Sequence, residues 1–244
     1  LITCDNITSV LGSINLQAGS GGDADVVINN NVTALLGALN ITSGAGTGSD
    51  VIVNSGATAK GIITTVTTPS LVVNGSGVLQ STFSDLQISS NAPGNVLSVA
   101  LNGPTSTLVS NTGNVNFNTP GAQGKIDVTG GPTNGVITAN GGNGQANFNG
   151  GLSNAVNVNV NQINACIAGT GTPFNVTVGQ ASILGSVKFG PITSNGNLNL
   201  VSPTNVGICA DITSNGGDIN VTSGNGAANK VSFAANADLF ANKN

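Results

Sequence analysis

The side chains in this 244-residue chain that could do more than hydroxyl or amide chemistry are three cysteines, nine aspartates and five lysines. Arg, Glu, His, Met, Trp and Tyr are all missing. General acid–base catalysis near neutral pH leans on His or on carboxyl groups and lysines with tuned pKa values. An enzyme here would have to work with Asp, Lys, Cys or hydroxyls alone, so we assign no catalytic residue.

The cysteines, Cys4, Cys166 and Cys209, match no zinc or redox spacing. An odd count in an oxidising compartment allows one disulfide and one remaining thiol, within or between subunits. Cys166 and Cys209 lie 43 residues apart. In the repeat described below that is about two rungs, or ~9.6 Å between Cα atoms in one column, too far to bridge without a loop excursion. The alternative is that all three are small buried apolar residues.

Asp23 and Asp25, in Gly21-Gly-Asp-Ala-Asp, resemble a glycine-rich calcium turn. Calcium takes about six to eight oxygens, and only Asp25 recurs one repeat later, as Asp50, while Gly48 stands where Asp23 was. We read these as solvated turn aspartates and expect no metal and no cofactor. The run Thr64-Thr-Val-Thr-Thr68 has the threonine pattern of ice-binding solenoids but occurs once, so we read it as exposed β-branched strand.

The elements that would position such residues follow from an internal repeat. Residues 11–34 align with 36–59 at an offset of 25, with ten of 24 positions identical, among them Leu11/Leu36, Gly12/Gly37, Asn15/Asn40, Asp25/Asp50 and Asn29/Asn54. A fixed period of this size marks an architecture in which each unit buries its apolar face on its neighbours. Within a unit the hydrophobic period is two. Ile14, Leu16 and Ala18 alternate with Ser13, Asn15 and Gln17, and Gly-rich stretches turn the chain between short strands.

The unit Gly-x-[Ile/Val/Leu]-Asn-[Leu/Ile/Val/Phe] begins at Gly12, Gly37, Gly113, Gly196 and Gly217, and with Lys188 in place of Asn at Gly185. Gly121-Ala-Gln-Gly reads as a further corner, and between about 73 and 110 the repeat blurs. This predicts an all-β fold: a single domain, 1–244, forming a parallel β-helix (β-solenoid) of about ten rungs of 20–25 residues. The inward positions are Ile14, Leu16, Leu39, Ile41, Val115, Phe117, Leu198, Leu200, Ile219 and Val221, with Asn15 and Asn40 outside. Comparison with Val231-Ser-Phe233 turns Val27 and Ile52 outward as a small apolar stripe.

Composition narrows function. Charged residues make up 6% and the net charge is −4, so nothing resembles the basic patch a nucleic-acid binder needs. No apolar run approaches the ~18 residues of a membrane span. The seven Phe are scattered, leaving no aromatic groove for a glycan. Six Asn-x-Ser/Thr sequons (Asn6, Asn31, Asn40, Asn74, Asn175, Asn220) and scarce lysine suit an extracellular protein.

The units Gly12-Ser-Ile-Asn-Leu-Gln-Ala-Gly and Gly217-Asp-Ile-Asn-Val-Thr-Ser-Gly resemble the repeats of filamentous-haemagglutinin-type adhesins and autotransporter passengers. The resemblance implies a right-handed parallel β-helix on a bacterial cell surface. The Asn-Pro-Asn-Gly and Asn-Pro-Asn-Leu motifs of that family's secretion domain are missing.

Residues 4–21 also match residues 209–226, with nine of 18 positions identical. The first and last rungs are therefore expected to be near copies, able to stack end to end through Ile7, Ile14 and Leu16 on Ile212, Ile219 and Val221, with Cys4 approaching the next subunit's Cys209. The functional expectation is an extracellular structural or adhesive fibre whose main partner is itself. Alternatives are a non-polymerising adhesin segment that binds host or cell-surface glycans, and, further off, a carbohydrate-active β-helix enzyme. If no metal is needed for folding, EDTA leaves the melting temperature within a few degrees of its value in calcium; a larger fall would contradict the turn-aspartate reading.

Overall fold

The computed structural model describes every residue except 21, 93, 95, 120–124, 132, 140–143, 153, 181–185, 225, 227, 243 and 244. The expected corner at Gly121–Gly124 and the unit start at Gly185 lie outside the described residues. The described chain is a parallel β-solenoid with no helix. Sheet A stacks ten strands, from Ile2–Thr3 to Ile219–Thr222; sheet B stacks seven, from Ile7–Ser9 to Gln162–Asn164; sheet C runs from Ile14–Gln17 to Val231–Phe233 and Leu239–Ala241. Nine rung-to-rung steps of ~4.8 Å make a rod on the order of 45 Å long.

Alternation puts the core where the sequence places it. Leu39, Ile41, Val115, Phe117, Leu198 and Leu200 are fully buried, and Ile14 and Leu16 nearly so. Ile219 and Val221, in the last rung of sheet A, are half-buried but pack against the same core. Asn15 and Asn40 point out and pair across the ladder, Asn40 Nδ2 donating to Asn15 Oδ1 at 2.8 Å. Val27 and Ile52 also face outward, half-buried, in a column that runs from Ile2 through Val72 to Ala100.

Four phenylalanines stand in the core. Phe117, Phe148, Phe174 and Phe189 are fully buried, and the rings of Phe117 and Phe148 stack with centroids 4.7 Å apart. Residues 73–110, where the sequence repeat blurs, keep the ladder without a break: Val78–Ser81, Leu86–Ser89, Val96–Asn102 and Thr107–Ser110 each pair with the rungs on both sides. A ladder asks only for alternation and backbone groups, so similar side chains are not needed to continue it.

Three expectations are corrected. Rungs are not held to 20–25 residues: ladder partners are 18 apart at Asn157/Asn175 and 31 apart at Asn116/Asn147. The slack sits in the corners, which face solvent and tolerate insertion.

The 25-residue register also slips in sheet B, where Val32 pairs with Ala59. Thr33/Thr58 and Ala34/Ala59 are thus identical in sequence but not stacked. A turn at Ser55-Gly56, with Gly56 at φ +82°, adds two residues before that strand. The next corner gives them back, so that Leu39 again meets Thr64 at an offset of 25.

The threonine run is not a flat exposed array either. Thr64 and Thr68 are fully buried, Thr64 Oγ1 donating to the Gln80 carbonyl at 2.6 Å and Thr68 Oγ1 bonding to Ser43 Oγ at 2.7 Å.

The cross-section changes after Asn164. Among the described residues no strand of sheet B follows Gln162–Asn164, and the long strand Val187–Ser194 lies over Cys166–Thr170 in sheet C. Above it sheet C divides: Val206–Ile208 follows its first half and Ile212–Ser214 its second. The rungs that match in sequence are consequently turned by one face. Ile7 lies in sheet B but Ile212 in sheet C, and Ile14 and Leu16 lie in sheet C but Ile219 and Val221 in sheet A.

Because the stacked aromatic pair has no room to collapse, Phe148→Ala should cost about 3–5 kcal/mol in urea denaturation. Phe83→Ala, at an exposed corner, should stay within about 0.5 kcal/mol.

Candidate functional site: surfaces and cross-links of the rod

The polar side chains that could act on a ligand are largely spent on the rod itself. On the outer face of sheet A an amide ladder climbs five rungs: Asn157, Asn175, Asn199 and Asn220 each donate Nδ2 to the residue below, starting at Asp127 Oδ1, at 2.7–3.0 Å. A second ladder joins Asn29, Asn54, Asn74 and Asn102 at the corner after sheet A. Four of the six sequon asparagines, Asn40, Asn74, Asn175 and Asn220, are therefore ladder members.

Aspartates and further asparagines serve the corners. Asp25 Oδ1 accepts the Asp50 N–H at 2.9 Å, Asp85 Oδ1 that of Asn114 at 2.8 Å and Asp211 Oδ1 that of Asp238 at 3.1 Å. Asn6 and Asn31 do the same for Asn31 and Thr58. Gly48 is equally local: a side chain there would run into Asp23 Oδ1. Among the described residues no three of His, Cys, Asp and Glu converge on a point that could hold a metal. Lys125 and Asp127 form an ion pair on the surface, N to O 2.6 Å, of the kind that contributes little to stability.

The cysteines differ from expectation. Cys166 and Cys209 form a disulfide, with Cα atoms 7.2 Å apart, and Cys4 is an exposed free thiol. Cys166 pairs with Lys188, and Lys188 with Gly207, so the column argument for two rungs is sound as far as it goes. The excursion it required is present. Between paired positions the chain has one residue in the lower rung (Ala168), two in the middle (Gly190-Pro191) and three in the upper (Cys209, Ala210, Asp211).

Sheet C bows outward there, and the bridge spans the middle rung at Gly190. That residue has φ +115°, and any Cβ would meet the Ala210 carbonyl. The buried-apolar reading is overturned, since Cys166 and Cys209 are half-buried and Cys4 exposed. With Cys209 bonded inside the chain, a bridge from Cys4 to a neighbouring subunit's Cys209 would require the internal one to open.

One shallow open groove of about 230 Å³ lies beside this bow. It is lined by Gln145, Asn147, Asn149, Ala168, Gly169, Thr170, Pro191 and Thr193, without an aromatic or charged side chain.

The apolar surface is found elsewhere. At the C-terminal rung Val231, Phe233 and Leu239 continue the core columns of Val206, Ile208 and Ile212 and are 38–51% exposed, with no strand above them among the described residues. At the other end Leu1 and Ile2 are more than half exposed. The corner between sheets B and C exposes Val10, Leu11, Leu35, Leu36, Ile63 and Phe83. Sequence reading missed this corner. Its one signal was the recurrence of Leu11 as Leu36 beside a turn glycine, where no inward strand position exists.

Comparison of the chain with protein families, with curated proteins and with solved structures finds no match.

The disulfide can be checked directly. Unfolded, unreduced protein should titrate one thiol per chain, and Cys166→Ser should lower stability by about 2–4 kcal/mol through loss of a 43-residue loop constraint. Three titratable thiols would contradict the pairing.

Proposed function

We propose that this chain is the rod segment of an extracellular structural or adhesive fibre, comparable to the surface proteins its repeats resemble, and that its rods join end to end. The observation that supports the reading is the continuous parallel ladder, in which each rung from Ile2–Thr3 to Ile219–Thr222 packs on a surface built like its own, the geometry by which one rod could extend another. Unpaired strand edges are templates for further pairing, and a head-to-tail contact that does not close into a ring grows into a filament. The commitment of amides, aspartates and hydroxyls to holding rungs together supports a mechanical role.

The partner on this reading is a second copy. Because the matching rungs are turned by one face, the joint does not place Ile219 and Val221 over the next subunit's Ile14 and Leu16. Continuing the sheets instead sets the sheet A strand Ile219–Thr222 against Ile2–Thr3. A glycan-binding role has the weaker support of one polar groove without aromatics.

Electron microscopy and light scattering on the 244-residue chain test this. The expected result is rods longer than one subunit whose length grows with concentration and falls sharply in Phe233→Asp. A monodisperse monomer at every concentration would overturn it.

A further inference from the structure

The corner between sheets B and C carries apolar residues that its backbone does not require. Successive rungs place Val10-Leu11, Leu35-Leu36, Ile62-Ile63 and Thr82-Phe83 there. The ladder aligns these corners in two pairs: the Leu35 N–H donates to the Ser9 carbonyl at 2.8 Å and the Phe83 N–H to the Ile62 carbonyl at 3.0 Å, while between the pairs the shorter third corner is shifted, the Ile62 N–H donating to the Gly37 carbonyl at 3.1 Å. Leu11 thus lies beneath Leu36 and Ile63 beneath Phe83, the four exposed by 81, 61, 42 and 74% on successive rungs of one corner.

In the next rung the same corner is Asn111-Thr112, and the Asn111 N–H still donates to the Ser81 carbonyl at 2.9 Å. The corner staple is unchanged as well. Ser9 Oγ accepts the Gly12 N–H at 3.1 Å in the apolar corner, and Ser110 Oγ the Gly113 N–H at 2.9 Å in the polar one. The fold accepts a polar pair here, so the apolar ones in the first four rungs answer to something outside the chain.

We propose that this stripe is a lateral interface with a second copy of the chain, packed stripe to stripe about a two-fold axis. Three features favour that occupant. The first is size. Taking a large apolar side chain as roughly 150–200 Å², the six exposed residues of the corner present on the order of 600 Å², the top of the range for a monomer's largest apolar patch. Two such stripes remove roughly 1,200 Å², above the ~1,000 Å² a specific interface needs.

The second feature is pitch. Side chains stacked ~4.8 Å apart within each pair interdigitate most closely with a surface of the same spacing, which another solenoid provides. The third is charge. The corner and its neighbours Ser9, Gly12, Ser13, Gly37, Ala38 and Ser84 carry none, so like copies do not repel. Flanked along the chain by a single lysine, Lys60, and by Asp85, the stripe also has no basic cluster to draw it to an anionic lipid surface.

This interface is independent of the end-to-end joint, and a Phe233→Asp background separates the two. In sedimentation velocity that variant should form a discrete dimer. Adding Leu36→Asp or Phe83→Asp should weaken the dimer at least about tenfold, with circular dichroism and melting temperature unchanged, since both side chains are exposed. Thr112→Asp, at the polar corner of the same line, should leave it intact.

A Phe233→Asp chain that stays monomeric at the highest attainable concentration would overturn the proposal. So would a dimer indifferent to both stripe substitutions, or one equally sensitive to Thr112→Asp. Flotation with phosphatidylcholine–phosphatidylglycerol vesicles that depends on Leu36 and Phe83 would identify the occupant as lipid and likewise refute it.

Discussion

The parallel backbone ladder between successive rungs is the interaction on which the rest of this structure depends. Each strand meets its backbone hydrogen-bonding needs from the rungs below and above, in register over sheets ten, seven and more strands deep. Once that spacing is set, every side chain faces the equivalent position of the next rung at about 4.8 Å. Outward asparagines at that distance hydrogen-bond in chains, inward aliphatics form continuous columns, and the rings of Phe117 and Phe148 stack.

The ladder constrains strands tightly and corners hardly at all. Rung length therefore varies from 18 to 31 residues between laddered asparagines while the sheets stay aligned. The two added residues at Ser55-Gly56 are a corner event, whereas the bow that carries the disulfide lies within the strand Val187–Ser194 and shifts its register against Cys166–Thr170, above which sheet C divides. Corners are also where surface character can change without cost to the fold, as the succession of Thr82-Phe83 by Asn111-Thr112 in the next rung illustrates.

The same constraint governs how reactive side chains are arranged on the rod. A catalytic or metal site needs several reactive groups converging from different directions. The outer faces of a solenoid hold side chains parallel to one another, and here the aspartates are further committed as acceptors for corner N–H groups. What such a surface does well is present a regular, extended array, which suits recognition of another regular array.

Much of the architecture was legible in the chain alone. Alternation at Ile14–Leu16 and Leu39–Ile41, with glycine at the corners, specifies short strands with one buried face, and recurrence specifies stacking, because these are properties of a few adjacent residues. Which rung lies above which was not legible in the same way. Residues 4–21 and 209–226 match without a gap yet occupy different faces, since alternation says which side of a strand is buried but not which sheet it joins. The bridge between Cys166 and Cys209 likewise depended on three successive rungs differing in length at one point. Leu36 and Phe83 reveal their exposure only once the corner is built, because a leucine beside a turn glycine reads the same whether the corner folds it in or leaves it in water.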